Sequence, residues 1–448
     1  MKSKVPHFRS SLLEGWRFDA CLTILVAIGY SLFGGSLITY DGRQYLSTVN
    51  SISQHTLSEG YLLGRPPFYP LFLSVILSIW NSDRFLIFTQ VAIMLFSALY
   101  FFRVLKKAIA PIFPRYTFPR VLPVIFVTSP TILGHGSTIL QQSLFVTEAA
   151  ILLTLLLHLL MNPRKSSLYV WLALLIVATT LTGQGMLAFN AGVLLCVVLI
   201  IVQSTRKSHF SIRQFVFGSI ALLSLPLTLL GFSIFEEWAA QKSDVISVGL
   251  PAGSSITSFP SYFQSNPQRA ANNLVEAYVT QSGLIPSIQS KGLLFPEGNG
   301  SARFFENRAH AENVFIPERK CGIADTNDAG PWYKHSKDVL QQNCAPFNFP
   351  KSFRWLPFLL GFLVSLVSFA FFPFSVILFY FAIKSRDLNL VNIILILILP
   401  SFLLRCSYII LGLQPDRYAL PTLISAFVVV IFVIEGVKNF VLQNANRA

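Results

Sequence analysis

The chain has 448 residues, 53% hydrophobic and 12% charged, where soluble globular domains carry about 25% charged residues. Its net charge of +14 comes from 34 Lys and Arg against 20 Asp and Glu, and much of it lies in short clusters between apolar runs, where it sets membrane orientation. A soluble enzyme and a nucleic-acid binder are thereby excluded, which leaves an all-α polytopic membrane protein whose basic excess suits anionic lipid headgroups.

The first element follows Lys2, Lys4, Arg9 and Arg17 and runs from about Ala20 to Ile38. It is too long for a signal-peptide core, and no small-x-small cleavage site follows it. It reads as an uncleaved first helix with a cytoplasmic N-terminus, so that Asp41 emerges on the opposite side. Residues 41–64 are polar, with apolar positions at helical spacing (Tyr45, Val49, Ile52), which predicts a helix lying at the interface. Phe68–Trp80 is apolar but short, and it starts at Pro66-Pro67. Arg84–Phe102 is full length and is followed by Arg103, Lys106, Lys107, Arg115 and Arg120 with no acid among them. Placing that basic loop in the cytoplasm makes 84–102 an inward crossing. Phe68–Trp80 then has to dip into the outer leaflet and return.

Val121–Leu133 goes out, Gly134-His135-Gly136 turns, and Leu144–Met161 returns to Arg164-Lys165. Leu168–Leu181 goes out, Thr182-Gly183-Gln184-Gly185 turns, and Leu187–Val202 returns to Arg206-Lys207. Phe215–Phe235 goes out again. The hydrophilic segment 236–353 follows, then Trp355–Ile383 inward, Leu390–Leu404 outward and Ala419–Ile434 inward. The expected architecture is therefore about 10 transmembrane helices, interfacial and re-entrant helices in the first exterior loop (39–83), and one larger exterior loop domain. That divides the chain into an N-terminal membrane module (1–235), an exterior loop (236–353) and a C-terminal membrane module (354–448). No internal repeat of the transporter kind is visible.

Cys21, Cys196 and Cys406 fall in or beside apolar runs and read as inert. Cys321 and Cys344 share the polar segment and are the candidates for a disulfide in an oxidising compartment. The sequon Asn299-Gly300-Ser301 in the same segment agrees with an exterior loop, although so short a pattern also arises by chance.

Two stretches carry candidate chemistry. Asp41 sits where the first apolar run ends, flanked by Tyr40, Arg43 and Tyr45, and carboxylates retained near hydrocarbon tend to be functional. Arg65 precedes Pro66-Pro67-Phe68-Tyr69-Pro70; the prolines stiffen a helix entry, and a guanidinium there can clamp a phosphate bidentately. Glu148 lies inside a crossing and reads as structural before catalytic. His135 reads as a polar turn residue, and Glu59 and Asp83 as solvated interface charges.

Taken together, the first helix with Asp41 and Tyr45 after it, the Arg65-Pro66-Pro67-Phe68-Tyr69-Pro70 segment, Thr128-Ser129-Pro130, Thr147-Glu148 and Asp416-Arg417-Tyr418-Ala419-Leu420-Pro421 resemble the GT-C class of membrane glycosyltransferases. That class includes the protein O-mannosyltransferases and the aminoarabinose transferases that modify lipid A. The resemblance covers roughly residues 20–190 and 405–425. It implies transfer of a sugar from a polyprenyl-phosphate carrier to a glycan, lipid or protein acceptor at the exterior face. Asp41 would be the catalytic base or orienter toward the acceptor hydroxyl, and Arg65, Arg417 and Tyr418 would hold the carrier phosphate. Arg43, Tyr45, Tyr69, His135 and Glu148 are the candidate acceptor or donor contacts. In-line attack opposite the phosphate would invert the anomeric centre.

The chain departs from the pattern where Gly42 replaces a second acid beside Asp41, and where His135, Gln141 and Gln142 stand in place of an acid after the third crossing. No metal ligands are assigned. A metal-free mechanism is favoured, with dependence on Mg²⁺ or Mn²⁺ left open, since these ions prefer several oxygen ligands. The expected setting is a bacterial inner membrane with the site facing the periplasm. Two alternatives stand beside this reading: a transporter or flippase of a lipid or polar solute, and an O-antigen-type polymerase or ligase.

Overall fold

The computed structural model describes residues 8–33, 45–46, 48–49, 66–111, 126, 132–133, 136, 141–206, 212–242, 278, 355–385, 387–410 and 420–445. These residues form ten α-helices: α1 (Phe8–Phe33), α2 (Phe68–Ile79), α3 (Asp83–Ile109), α4 (Gln142–Met161), α5 (Ser166–Thr182), α6 (Leu187–Arg206), α7 (Ile212–Lys242), α8 (Trp355–Ser385), α9 (Leu388–Ile410) and α10 (Leu420–Ala445). A 3₁₀ turn, Gln184–Met186, joins α5 to α6, and no strand occurs among the described residues.

Helices are the expected response of long apolar runs to a medium without water, because each backbone N–H and C=O must then be satisfied within its own segment. Six stretches are long and apolar enough to cross a bilayer: Arg84–Ile109, Gln142–Met161, Leu187–Thr205, Gln214–Ile234, Leu366–Lys384 and Leu388–Ile409. The chain is an integral membrane protein. The 12 residues of α2 rise about 18 Å, short of the ~30 Å hydrocarbon core. Trp80–Ser82 then turns the chain directly into α3.

Helix directions follow from named contacts. Leu86 at the start of α3 and Leu144 at the start of α4 share one apolar cluster. Near the other ends of the same helices, the Tyr100 hydroxyl lies 3.3 Å from His158 Nε2. The two helices are therefore parallel, and the chain has to travel back between them. Its described residues there do so: Phe126 packs edge-on against Phe102, whereas the Gly136 carbonyl accepts from Gln90 Nε2, three turns nearer the start of α3. Gly136 itself is helical, not part of the turn expected at 134–136.

Two further tight turns and a set of polar contacts fix the rest. The Asn162–Lys165 turn reverses α4 into α5, and the 3₁₀ turn reverses α5 into α6. Gln214 at the start of α7 donates to the Pro163 carbonyl in the α4–α5 turn (2.8 Å). Gln203, late in α6, exchanges two amide hydrogen bonds with Asn392, early in α9. Lys106 and Lys107, Arg164-Lys165 and Lys384 consequently sit at one end of the bundle, called here the basic end.

At the centre stands α4, packed against α3, α5, α6, α9 and α10, with Gln142 through Ala150 all buried. On the periphery, α7 leaves Phe215, Val216, Leu223, Leu227, Leu230 and Ile234 exposed, as befits a face turned to lipid.

Several helices run beyond their apolar windows. The basic residues Lys106 and Lys107, expected in a loop, form the last turn of α3. Similarly, α9 continues past Leu404 and draws Arg405 into the bundle, where it is fully buried.

Proline sets local contacts in α8 and α9. Pro373 has no N–H for the Phe369 carbonyl four residues back, and the Tyr278 hydroxyl donates to that carbonyl instead. Arg405 donates to the Ser368 carbonyl one residue earlier and to Ser368 Oγ. In α9, Pro400 lies against Gly192 of α6, where a Cβ would come within 2.5 Å of the proline Cα. Glycine there lets the two backbones approach.

Candidate functional site

Apart from Gln214 and Asn392 at the basic end, a connected set of polar groups gathers toward the opposite end of the bundle. Residue 45 begins the account: Tyr45, Leu46, Thr48 and Val49 are helical and buried. The apolar ones join Tyr69, Leu73, Ile76 and Leu77 of α2, Leu86 of α3 and Leu144 of α4 in one cluster. This part of the first loop therefore packs onto three helix ends, α2, α3 and α4. The rings of Tyr45 and Tyr69 meet edge to face at 4.8 Å, a favoured geometry for aromatic pairs. Each hydroxyl finds an amide: Tyr45 donates to Gln141 Oε1 at 2.7 Å, and Tyr69 donates to Gln90 Oε1 at 2.8 Å. Gln90 then donates to the Gly136 carbonyl at 3.0 Å.

From Gln141 a stripe runs down α4. Gln141, Phe145 and Glu148 stand at spacings that share one helix face, and they meet the end of α5 and the turn after it. A Cβ on Gly183 would lie 2.5 Å from Phe145 Cζ and 2.9 Å from Gln141 Oε1. On Gly185 it would overlap the Tyr408 hydroxyl. These glycines bring bare backbone against α4 and α9, and a side chain at either would push the turn away. One step deeper, the Thr182 hydroxyl bonds the Glu148 carboxyl and also lies 2.9 Å from the Ala178 carbonyl. It has one proton for two acceptors. Glu148 Oε2 is buried with no hydrogen-bond partner. Beside this pair, Thr179 donates to Asn190 Oδ1 (3.0 Å), and Asn190 donates to Thr180 Oγ1 (3.1 Å).

Glu148 lies about 9 Å along α4 from Gln142, at about 1.5 Å per residue. Arg405, five positions before the end of α9, lies at a comparable depth. Its guanidinium contacts neutral groups: the Ser368 carbonyl and hydroxyl and the faces of Phe371 and Phe372 at 5.6 and 5.8 Å. Its Nε is unpartnered. No ion pair joins it to Glu148 among the described residues. Burying a charge without a counter-charge is costly, and ionisable groups held inside a membrane mark functional positions by default.

Of the residues singled out from sequence, Tyr45, Tyr69 and Glu148 lie in this one region. Asp41, Arg43, Arg65, His135, Arg417, Tyr418 and the pair Cys321 and Cys344 lie outside the described residues. Gln90, Thr182, Gly183, Gly185, Arg405 and Tyr408 join Tyr45, Tyr69 and Glu148, together with Gln141, which the sequence offered only in place of an acid. Proximity in the fold, rather than a sequence motif, identifies all of the six but Arg405. Arg405 is visible in the sequence as the lone guanidinium directly after the apolar run Leu390–Leu404. Among the described residues no group of three or more His, Cys, Asp or Glu is assembled that could hold a metal ion.

No known protein family, curated protein or solved structure matches the chain.

Proposed function

We propose that the protein is an inverting glycosyltransferase that moves a sugar from a polyprenyl-phosphate carrier to an acceptor at the exterior face of the membrane. The observation that carries this reading is the placement of a set of buried and half-buried polar groups. Tyr45 of the first loop, Gln141, Glu148, Thr182, Asn190 and Arg405 gather in the third of the bundle away from the basic end. With the basic end in the cytoplasm by the positive-inside rule, that third is exterior. Ten crossings with both termini inside then satisfy the helix directions.

A transporter needs a polar site near mid-depth reached from both sides. In the middle of α4, Thr154 is turned back onto the Ala150 carbonyl and its neighbours Leu152, Leu153, Leu156 and Leu157 are buried. The polar groups instead favour a site at one surface, where a lipid headgroup arrives from the bilayer and an acceptor from water.

In this reading Asp41 takes the acceptor hydroxyl proton. The hydroxyl oxygen attacks the anomeric carbon as the bond to phosphate breaks, and the carrier phosphate leaves with the electron pair. Arg65, Arg417 and Tyr418 stabilise that leaving phosphate, because donors aimed at developing charge act most strongly where water is excluded. The polar segment 236–353 selects the acceptor in this reading. The residues imply no assigned metal.

The experiment uses the full chain in membranes with a radiolabelled polyprenyl-phosphate sugar. Asp41→Asn is expected to lower transfer by about 10²–10⁴-fold, the usual contribution of a general base. Arg65→Ala is expected to lower it about tenfold or more, in line with the loss of one charged hydrogen bond. Transfer at the wild-type rate by both variants rejects the assignment.

A further inference from the structure

At the opposite, basic end of the bundle lies a groove of about 490 Å³. Its walls are Met161, Asn162, Arg164 and Lys165 from α4 and the α4–α5 turn, Ser204 from the last turns of α6, and Gln214 from the first turn of α7. Pro163 completes it, and its carbonyl is clamped from two sides, accepting from Tyr169 Oη of α5 at 3.2 Å and from Gln214 Nε2 of α7 at 2.8 Å. Further backbone bonds hold the turn: Lys165 N–H donates to the Asn162 carbonyl and Leu168 N–H to the Lys165 carbonyl. The turn is thereby fixed before any ligand arrives, which lowers the cost of binding.

Arg164 and Lys165 are exposed on that fixed turn, and among the described residues no carboxylate lines the groove. Two cations, a hydroxyl and two amides line one concavity, with no counter-charge among the described residues around it. We propose that this groove is a binding site for the phosphate headgroup of an anionic phospholipid in the adjoining leaflet.

The lipid source, as opposed to a soluble anion, follows from what borders the groove. Immediately beside Gln214, α7 exposes Ile212 (81%), Phe215 (59%) and Val216 (48%). The apolar exposure continues along the same helix through Ile220, Leu223 and Leu227. An acyl chain has a surface to follow from the groove toward mid-membrane, while free phosphate gains nothing from it. Basic pockets between transmembrane helices at the cytoplasmic surface are where anionic headgroups bind, with an electrostatic gain of about 1 kcal/mol per Lys or Arg near the surface. The occupant also touches residues from α4, the α4–α5 turn, α6 and α7 at once. The site is independent of the transferase reading, since it lies at the other end of the bundle.

The test compares thermal unfolding of the purified full chain in detergent micelles with added phosphatidylglycerol, phosphatidylcholine or inorganic phosphate. For the wild type, phosphatidylglycerol is expected to raise the midpoint by about 2–4 °C more than phosphatidylcholine, as binding to the folded state alone requires. The double variant Arg164→Gln/Lys165→Gln should lose that difference. Lys106→Gln/Lys107→Gln, at the same basic end but outside the groove, should keep it. An equal phosphatidylglycerol effect in the groove variant overturns the proposal. So does equal loss in the Lys106/Lys107 variant, which would mean diffuse charge, or an equal rise with inorganic phosphate alone, which would mean a soluble anion.

Discussion

Glu148 meets Thr182 through one carboxyl oxygen and leaves the other buried and unpartnered. A carboxyl kept in that state, on the most enclosed helix of the bundle, has a cost that a leucine would not have. Glu148→Gln separates packing from chemistry, because the amide has the same shape and can donate to Thr182 Oγ1 while the threonine proton turns to the Ala178 carbonyl. The expected outcome is an unfolding midpoint within a few degrees of wild type with transfer lowered by up to about tenfold, the worth of one hydrogen bond to a ligand. Both are measured on the same membrane preparation, and unchanged transfer would assign Glu148 to packing alone. Tyr45, Tyr69 and Glu148 could be singled out by type and position. Their partners could not: Gln141 is 96 residues from Tyr45 and Thr182 is 34 from Glu148. A neutral amide or hydroxyl in an apolar chain gives no hint of which distant group it will meet.

In α8, Pro373 leaves the Phe369 carbonyl without its helical donor, and Tyr278 from the large loop supplies one. The rings of Phe369 and Phe372 also receive that tyrosine, at 5.1 and 5.3 Å. This contact predicts a thermodynamic cycle. Tyr278→Phe keeps the ring and strips the donor, and a carbonyl left unsatisfied costs about 1–3 kcal/mol. In Pro373→Ala the new backbone N–H serves the same carbonyl. Adding Tyr278→Phe to Pro373→Ala should therefore cost much less than Tyr278→Phe alone, read as unfolding midpoints in detergent. Equal costs in both backgrounds would show that the hydroxyl does not serve that carbonyl. The prolines were legible in the sequence, as were most helix centres. The helix ends were not, because hydropathy marks where apolar side chains stop and not where backbone hydrogen bonding stops. For that reason α3 takes in Lys106 and Lys107, and α9 takes in Arg405.

At the scale of the whole molecule, orientation is the property most exposed to test. Single cysteines placed at 110 and 300 in a chain otherwise free of cysteine should react with a membrane-impermeant thiol reagent from opposite sides, position 110 from the cytoplasm and position 300 from outside. Position 41 should side with 300. Labelling of 41 and 110 from the same side would break the proposed topology and the site with it. Composition and the spacing of apolar runs alone determined that this chain lives in a bilayer and that the described residues of its membrane part are helical. Apolar length and charge clusters act locally, residue by residue, against a solvent whose properties are fixed in advance. Tertiary structure decided which helix is central, that α3 and α4 run parallel with Phe126 and Gly136 on the way back between them, and that Tyr45, Gln141, Glu148, Thr182 and Arg405 come together toward one end. Those outcomes depend on contacts between segments far apart in the chain. The glycines at 183, 185 and 192 permit such contacts, but no local pattern announces which surface each will meet.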